Sequence, residues 1–255
     1  MHIDTFAYSN HWRRVHPGEK AIFAISGLTA ALLSRTALVP LVIAAIMVAA
    51  TLCGARIPWR GYLRIAILPA SFLLWSCAAL AVSFSGSDLP LAQIPALQLT
   101  VGLSRKGIDQ AEMALARSLG ATLSLLFLAL TTPMTEIMGL LRSLGAPKLF
   151  IELMTITYRQ IFIFVEIASQ IRTAQEARLG YRSARTAMKS LATMAGNILL
   201  STLTRARHNH QSLLARGYGD DLLFLSPRHN WSTRNLLSAG ITGLILIALA
   251  LAIHP

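Results

Sequence analysis

Apolar residues along this 255-residue chain gather into five runs separated by polar connections. Ala21 to Ser34 and Thr36 to Gly54 flank a single arginine, Arg35, and read as a hairpin of two membrane-spanning helices. Ile65 to Phe84 has about the 20 residues that cover roughly 30 Å of hydrocarbon. Ala114 to Thr132 and Leu236 to Ile253 complete the set. Leu149 to Ile171 is as apolar as these but carries Glu152, Arg159 and Glu166 at intervals of seven. That spacing drifts only about 20° per step round an α-helix, so the three charges form one polar stripe. Facing lipid at the bilayer centre, each would cost ~2.5–3.5 kcal/mol. A helix along the membrane surface, or packed between other helices, avoids that cost.

Past Ser169 the same helix turns polar and is expected to stop at Gly180, a natural C-terminal cap. A second long helix is predicted from Ser183 to Arg216, ended by Gly217. Along it Met188, Leu191, Ala195 and Ile198 recur at three and four and offer one packing face. The second spans 34 residues and the first nearly as many, so the rods would reach about 51 Å, long enough to carry force from a cytoplasmic partner to the spans.

Composition fixes the class. Hydrophobic residues make up 54% of the chain, charged ones 13%, and mean hydropathy is +0.56, too apolar for a soluble domain of this length. The expectation is an all-α integral membrane protein with about five transmembrane helices: residues 1–132 hold a leader and four spans, 133–235 a long helical cytoplasmic insert, and 236–255 the last span. The net charge of +12 does not point to nucleic acid, because it sits in loops beside apolar runs, where insertion places it on the cytoplasmic side. With residues 1–20 inside, 19 of the 23 Lys and Arg lie inside. Arg35, Arg105 and Lys106 lie outside, Arg117 sits just within the fourth span, and Asp88, Asp109 and Glu112 offset three of these four. The N-terminus is therefore placed inside and the C-terminus outside. No cleavable leader is expected, since about twenty polar residues precede the first run and no small-residue site follows it.

Two pentapeptides stand out in the polar insert, Ala177-Arg178-Leu179-Gly180-Tyr181 and Ala215-Arg216-Gly217-Tyr218-Gly219. Arginine in a last turn with glycine after it is what capping and the macrodipole favour anyway. Their recurrence at the ends of the two longest cytoplasmic helices points further. Alanine keeps each helix end slim enough to enter a groove, and a guanidinium can bond to carbonyls or carboxylates there.

Other features carry less. No G-x-x-x-x-G-K-[ST] loop occurs, so the chain is not expected to hydrolyse ATP itself. Cys53 and Cys77 lie in separate spans without a C-x-x-C pattern and read as small core residues. His208 and His210 are two apart and do not share a helix face; with His2, His11 and His16 they are assigned no metal. Ser85 to Pro95 reads as an external turn, Ser104 to Arg117 as a short charged amphipathic stretch, and Pro58-Trp59 with Tyr62 as an interfacial anchor. Asp220-Asp221 could assist docking or form a solvated turn.

The chain resembles, over essentially its whole length, the transmembrane T component of energy-coupling factor (ECF) ABC transporters, in its cobalt-type branch, the CbiQ family. The resemblance rests on Ile3-Asp4, Ala7-Tyr8-Ser9-Asn10, Trp12-Arg13 and His16-Pro17-Gly18-Glu19-Lys20, on Leu130-Thr131-Thr132-Pro133, on Gly145-Ala146-Pro147, and on the paired Ala-Arg motifs. It implies an importer subunit of the bacterial inner membrane that is not an enzyme and that serves cobalt uptake for cobalamin biosynthesis. Ala177, Arg178 and Leu179 would dock on one ATP-binding subunit, and Ala215, Arg216 and Gly217 on the other. The chain would transmit their ATP-driven motion to a separate substrate-capture membrane subunit, often joined by a small accessory one. ATP would be held by the partners and the cobalt ion by the capture subunit, so no catalytic residue, cofactor or metal ligand is implied here. The first motif departs from the family in having Leu179 where glycine is often found. A nickel- or vitamin-type coupler is the alternative within the family. A metal-dependent membrane enzyme would need convergent acids that these spans lack, and a conventional ABC permease would carry one coupling element per chain.

Overall fold

The computed structural model describes residues 2–83, 89–94, 99–103, 105–217 and 233–252. Helices dominate them: α1 (His2–Ser9), α2 (Pro17–Leu33), α3 (Leu38–Ala49), α4 (Trp59–Ala81), α5 (Arg105–Thr131), α6 (Met134–Ser143), α7 (Lys148–Ala177), α8 (Ala184–Ala215) and α9 (Thr233–Ala252). The chain divides into two compact units, Met1–Ile137 with Pro227–Pro255, and Met138–Ser226. The boundary between them falls inside α6.

In the first unit α5 is the central helix, packed against α2, α3 and α4, while α9 lies on α2. Small residues on α2 (Ala24, Gly27, Ala30, Ala31) let its neighbours approach closely. Phe127 of α5 fills the centre, with Trp12 and Phe23 set edge-on at 5.8 and 5.5 Å. A second cluster joins Ala55, Ile57, Tyr62 and Leu130. The Arg117 guanidinium donates from Nε (3.0 Å) and Nη2 (2.7 Å) to the carbonyl of Ser34, where the chain turns from α2 to α3. Because that carbonyl is buried, Arg117→Ala is expected to lower stability by about 1.5–3 kcal/mol, read as an earlier thermal transition in detergent, with Arg117→Lys recovering part of the loss.

Among the described residues two helices, Trp59–Leu80 (22 residues) and Gly107–Thr131 (25 residues), are long and apolar enough alone to cross a bilayer; Leu38–Gly54 and Leu236–Ala252 are shorter apolar helices. This is the build of an α-helical membrane protein. Several expected boundaries shift. α2 starts at Pro17 rather than Ala21, since His16 caps it by accepting the Gly18 N–H at Nδ1 and Pro17 suits the first turn. The stretch from Ser104 to Arg117 is no separate surface segment from Arg105 on, because α5 runs through it without a break. Tyr62 is buried in the second cluster, not at an interface, while Trp59 stays exposed beneath Arg60. Cys53 is exposed, in a π turn (Ala50–Gly54) that extends α3, and Cys77 half-buried, so neither is a core residue.

The expected turn at 85–95 is in part a strand. β1 (Val82–Ser83), β2 (Leu89–Ile94) and β3 (Leu99–Leu103) form a small antiparallel sheet in the order β1-β3-β2. Leu89 pairs with Leu103 and Ile94 with Leu99, with an irregularity between Pro90 and Ala92. Proline is tolerated because β2 is an edge strand. Ser85 to Asp88 and Pro95 lie outside the described residues.

Where α5 meets α6, Pro133 interrupts the helix and the last carbonyls of α5 need donors from elsewhere. Asn10 Nδ2 donates to Leu130 O (3.4 Å) and Thr131 O (3.1 Å), and Lys20 Nζ to Thr131 O at 3.1 Å. Lys20 Nζ also lies 3.9 Å from Glu136 Oε2, in the first turn of α6. All three side chains are buried, Lys20 at 2% exposure. A cation at one helix C-terminus thus faces an anion near the next N-terminus, as both dipoles favour.

Candidate functional site

The second unit carries both Ala-Arg motifs. α6, not foreseen as a separate helix, repeats apolar residues at Met134, Ile137, Met138 and Leu141, the signal that reveals it. It closes with Gly145 at φ +87 and Ala146 N–H on Leu141 O at 3.1 Å, and Pro147 caps α7. α7 and α8 are 30 and 32 residues long, somewhat shorter than expected. Of the charges at intervals of seven, Arg159 and Glu166 are exposed and Glu152 half-buried.

α7 ends in a Schellman turn. Its C-cap is Arg178 (φ −95, ψ 14), Leu179 N–H bonds to Glu176 O at 3.0 Å, and Gly180 N–H bonds to Gln175 O at 2.8 Å. The residue in the left-handed conformation is Leu179 (φ +56), not the expected Gly180. Gly180 is needed for a different reason: a Cβ there would sit 2.9 Å from Gln175 O and 2.6 Å from Ser190 Oγ. Further bonds lock the bend: Ser190 Oγ donates to Gly180 O (2.9 Å), Gln175 Nε2 to Ser190 O (2.8 Å) and Tyr181 OH to Gln175 Oε1 (2.8 Å). Ser183 and Thr186 then form a capping box that opens α8. One turn before the end, Glu176 holds Arg172 at 2.8 Å and raises its already high pKa, by hydrogen bond and charge.

α8 ends alike. Ala215 is its last residue, Arg216 its C-cap (φ −93, ψ 10), and Gly217 follows in the left-handed conformation at φ +74. Gly217 N–H bonds to Leu214 O at 3.0 Å. Ala177 and Ala215, Arg178 and Arg216, and Leu179 and Gly217 are thus equivalent pairs, and all six are exposed. The structure does not gather them into one site. Arg178 lies just before the start of α8 and Arg216 at its end, roughly 48 Å apart along a straight helix of that length. Tyr218, Gly219, Asp220 and Asp221 lie outside the described residues.

The packing face of α8 also differs from expectation. Ala187, Ser190, Met194 and Ile198 are half-buried, whereas Met188, Leu191 and Ala195 are exposed. The seam is set where Ser190 approaches the end of α7, donating to Gly180 O and accepting from Gln175 at its backbone carbonyl. His208 and His210 are exposed on α8, and no cluster of three or more potential metal ligands occurs among the described residues. The first unit has a cavity of about 310 Å³ between Trp12, Glu19, Lys20, Phe127, Ser238 and Thr242.

Long apolar helices in the first unit make this a helical membrane protein, and the second unit adds two helices that end in matched, exposed arginine caps. Residues 9–223 match the family described as CbiQ, cobalt transport protein. The chain is 32% identical to the cobalt transport protein CbiQ of Rhodobacter capsulatus, across 96% of this chain and 93% of that one. It is 29% identical to an uncharacterised protein of Methanocaldococcus jannaschii, across 97% and 92%. A putative fused cobalt transport protein CbiMQ of Methanocorpusculum labreanum is 28% identical across 85% of this chain and 36% of its own length. The chain belongs to the CbiQ cobalt transport protein family, which makes it a membrane component of cobalt transport rather than an enzyme.

Proposed function

We propose that this chain is the coupling subunit of an ATP-driven cobalt importer of the energy-coupling factor type. The observation that carries the reading is the equivalence of the two helix ends: one backbone conformation, one Ala-Arg pair and one exposed guanidinium, repeated at the ends of the two longest helices. One chain with two matched docks suits two copies of the same ATP-binding subunit. Arg178 enters a groove on one copy and Arg216 on the other, each guanidinium finding carbonyls or carboxylates there. Closure on ATP moves the copies, and α7 and α8 carry that motion, as rods about 45 and 48 Å long, to a separate capture subunit that holds the cobalt ion. The fused relative supports a membrane partner for capture, since the part of it matching this chain is only 36% of its length. ATP stays on the partner subunits. A small accessory membrane subunit completes the assembly, and equivalent coupling of nickel is the second reading, because the substrate lies on another chain.

The protein spans the inner membrane five times, with the N-terminus and residues 133–235 inside and the C-terminus outside. Cysteine labelling tests this. In a Cys53→Ser, Cys77→Ser background, single cysteines at positions 185 and 205 are expected to react only when the inner face is open, and one at position 35 from outside. External labelling at 185 would overturn the topology.

A further inference from the structure

Leu179 is expensive where it stands. Left-handed backbone costs an L-residue with a bulky side chain, and such a residue persists only when its surroundings over-determine it. Here they do: hydrogen bonds from the N–H groups of Leu179 and Gly180, from Ser190 and between Tyr181 and Gln175 hold the bend on both sides. Yet the side chain is left mostly open to solvent, 66% exposed. Glycine takes the equivalent position on α8, at φ +74, and would relieve α7 of both penalties. The two ends therefore share their alanine and arginine and differ at one point: an isobutyl group beside Arg178, none beside Arg216.

We propose that Leu179 is an apolar anchor for the ATP-binding subunit at the first dock, so that the two docks are unequal and the α7 end holds its copy more tightly than the α8 end. This rests on the docking reading above. The rigid bend presents the leucine immediately after the docking arginine, and the partner surface that receives Arg178 covers both. Fully burying one leucine against a partner is worth about tenfold or more in affinity.

The test uses the full chain in detergent with its purified cognate ATP-binding subunit, reading thermal stability and binding together. Leu179→Gly and Leu179→Asn both suit a left-handed backbone and remove the apolar group. They are expected to raise the melting temperature while weakening binding about tenfold, and Leu179→Met to keep both near wild type. Stability and binding moving in opposite directions is what a merely structural leucine would not give. If the glycine and asparagine variants bind as wild type while Arg178→Glu loses binding, the anchor is wrong and the arginine dock stands. If Arg178→Glu, Arg216→Glu also binds normally, the docking reading fails. Loss of stability and binding together in Leu179→Gly would overturn the anchor in favour of a structural role.

Discussion

Reversing both cap charges, Arg178→Glu with Arg216→Glu, is expected to abolish ATP-driven cobalt uptake while leaving the amount of protein in the membrane unchanged. Truncating or reversing one side of a desolvated, hydrogen-bonded charge contact costs about 2–5 kcal/mol, a factor of roughly thirty or more at each dock. The structural cost is far smaller. Both arginines are exposed C-caps, where an added negative charge opposes the helix dipole by about 0.3–1 kcal/mol. Arg178→Gln and Arg216→Gln keep the caps neutral and separate the two contributions: uptake should fall nearly as far, with stability unmoved. Uptake assays on membranes of matched expression check this, and near-normal uptake by the double glutamate variant would count against coupling through these ends.

Lys20→Met is expected to destabilise the first unit by about 3–5 kcal/mol, as removing one member of a buried ion pair does. The ammonium bonds to Thr131 O at 3.1 Å and faces Glu136 at 3.9 Å, so methionine deprives the end of α5 of a donor and the Glu136 carboxylate of the charge beside it. Lys20→Met with Glu136→Leu should recover much of the loss, because an apolar pair of similar volume replaces a charged one without leaving a buried carboxylate. Thermal unfolding in detergent measures both. Equal destabilisation by the single and double variants would show that Lys20 acts through Thr131 alone. Asn10→Ala, which removes the donor shared by Leu130 and Thr131, should cost less, about 1–3 kcal/mol.

The long apolar helices and the two helix ends in the insert were legible because each depends on residues near one another in the chain. The run from Trp59 to Ala81 is apolar enough to read directly, and Ala-Arg followed by a left-handed position is a local signal. The junction at Pro133 was not legible. Glu19 and Lys20 resemble leader charges bound for water, and only the fold shows that Lys20 meets Thr131, 111 residues away. The seam of α8 departs from the apolar repeat for a similar reason, keeping only Ile198 of the expected face. Hydropathy favours Met188 and Leu191, but the hydrogen bonds between Ser190 and the end of α7 decide which face turns inward. Gly180 invited the assignment of the left-handed position, which the hydrogen-bond pattern gives to Leu179.

Whether the two helix ends hold ATP-binding subunits is decided by co-purification from detergent. Tagged wild-type chain should bring down two copies of its cognate ATP-binding subunit, and the Arg178→Glu, Arg216→Glu variant should bring down none. Equal recovery with both would place the contact elsewhere, and no recovery with wild type would contradict the coupling role itself.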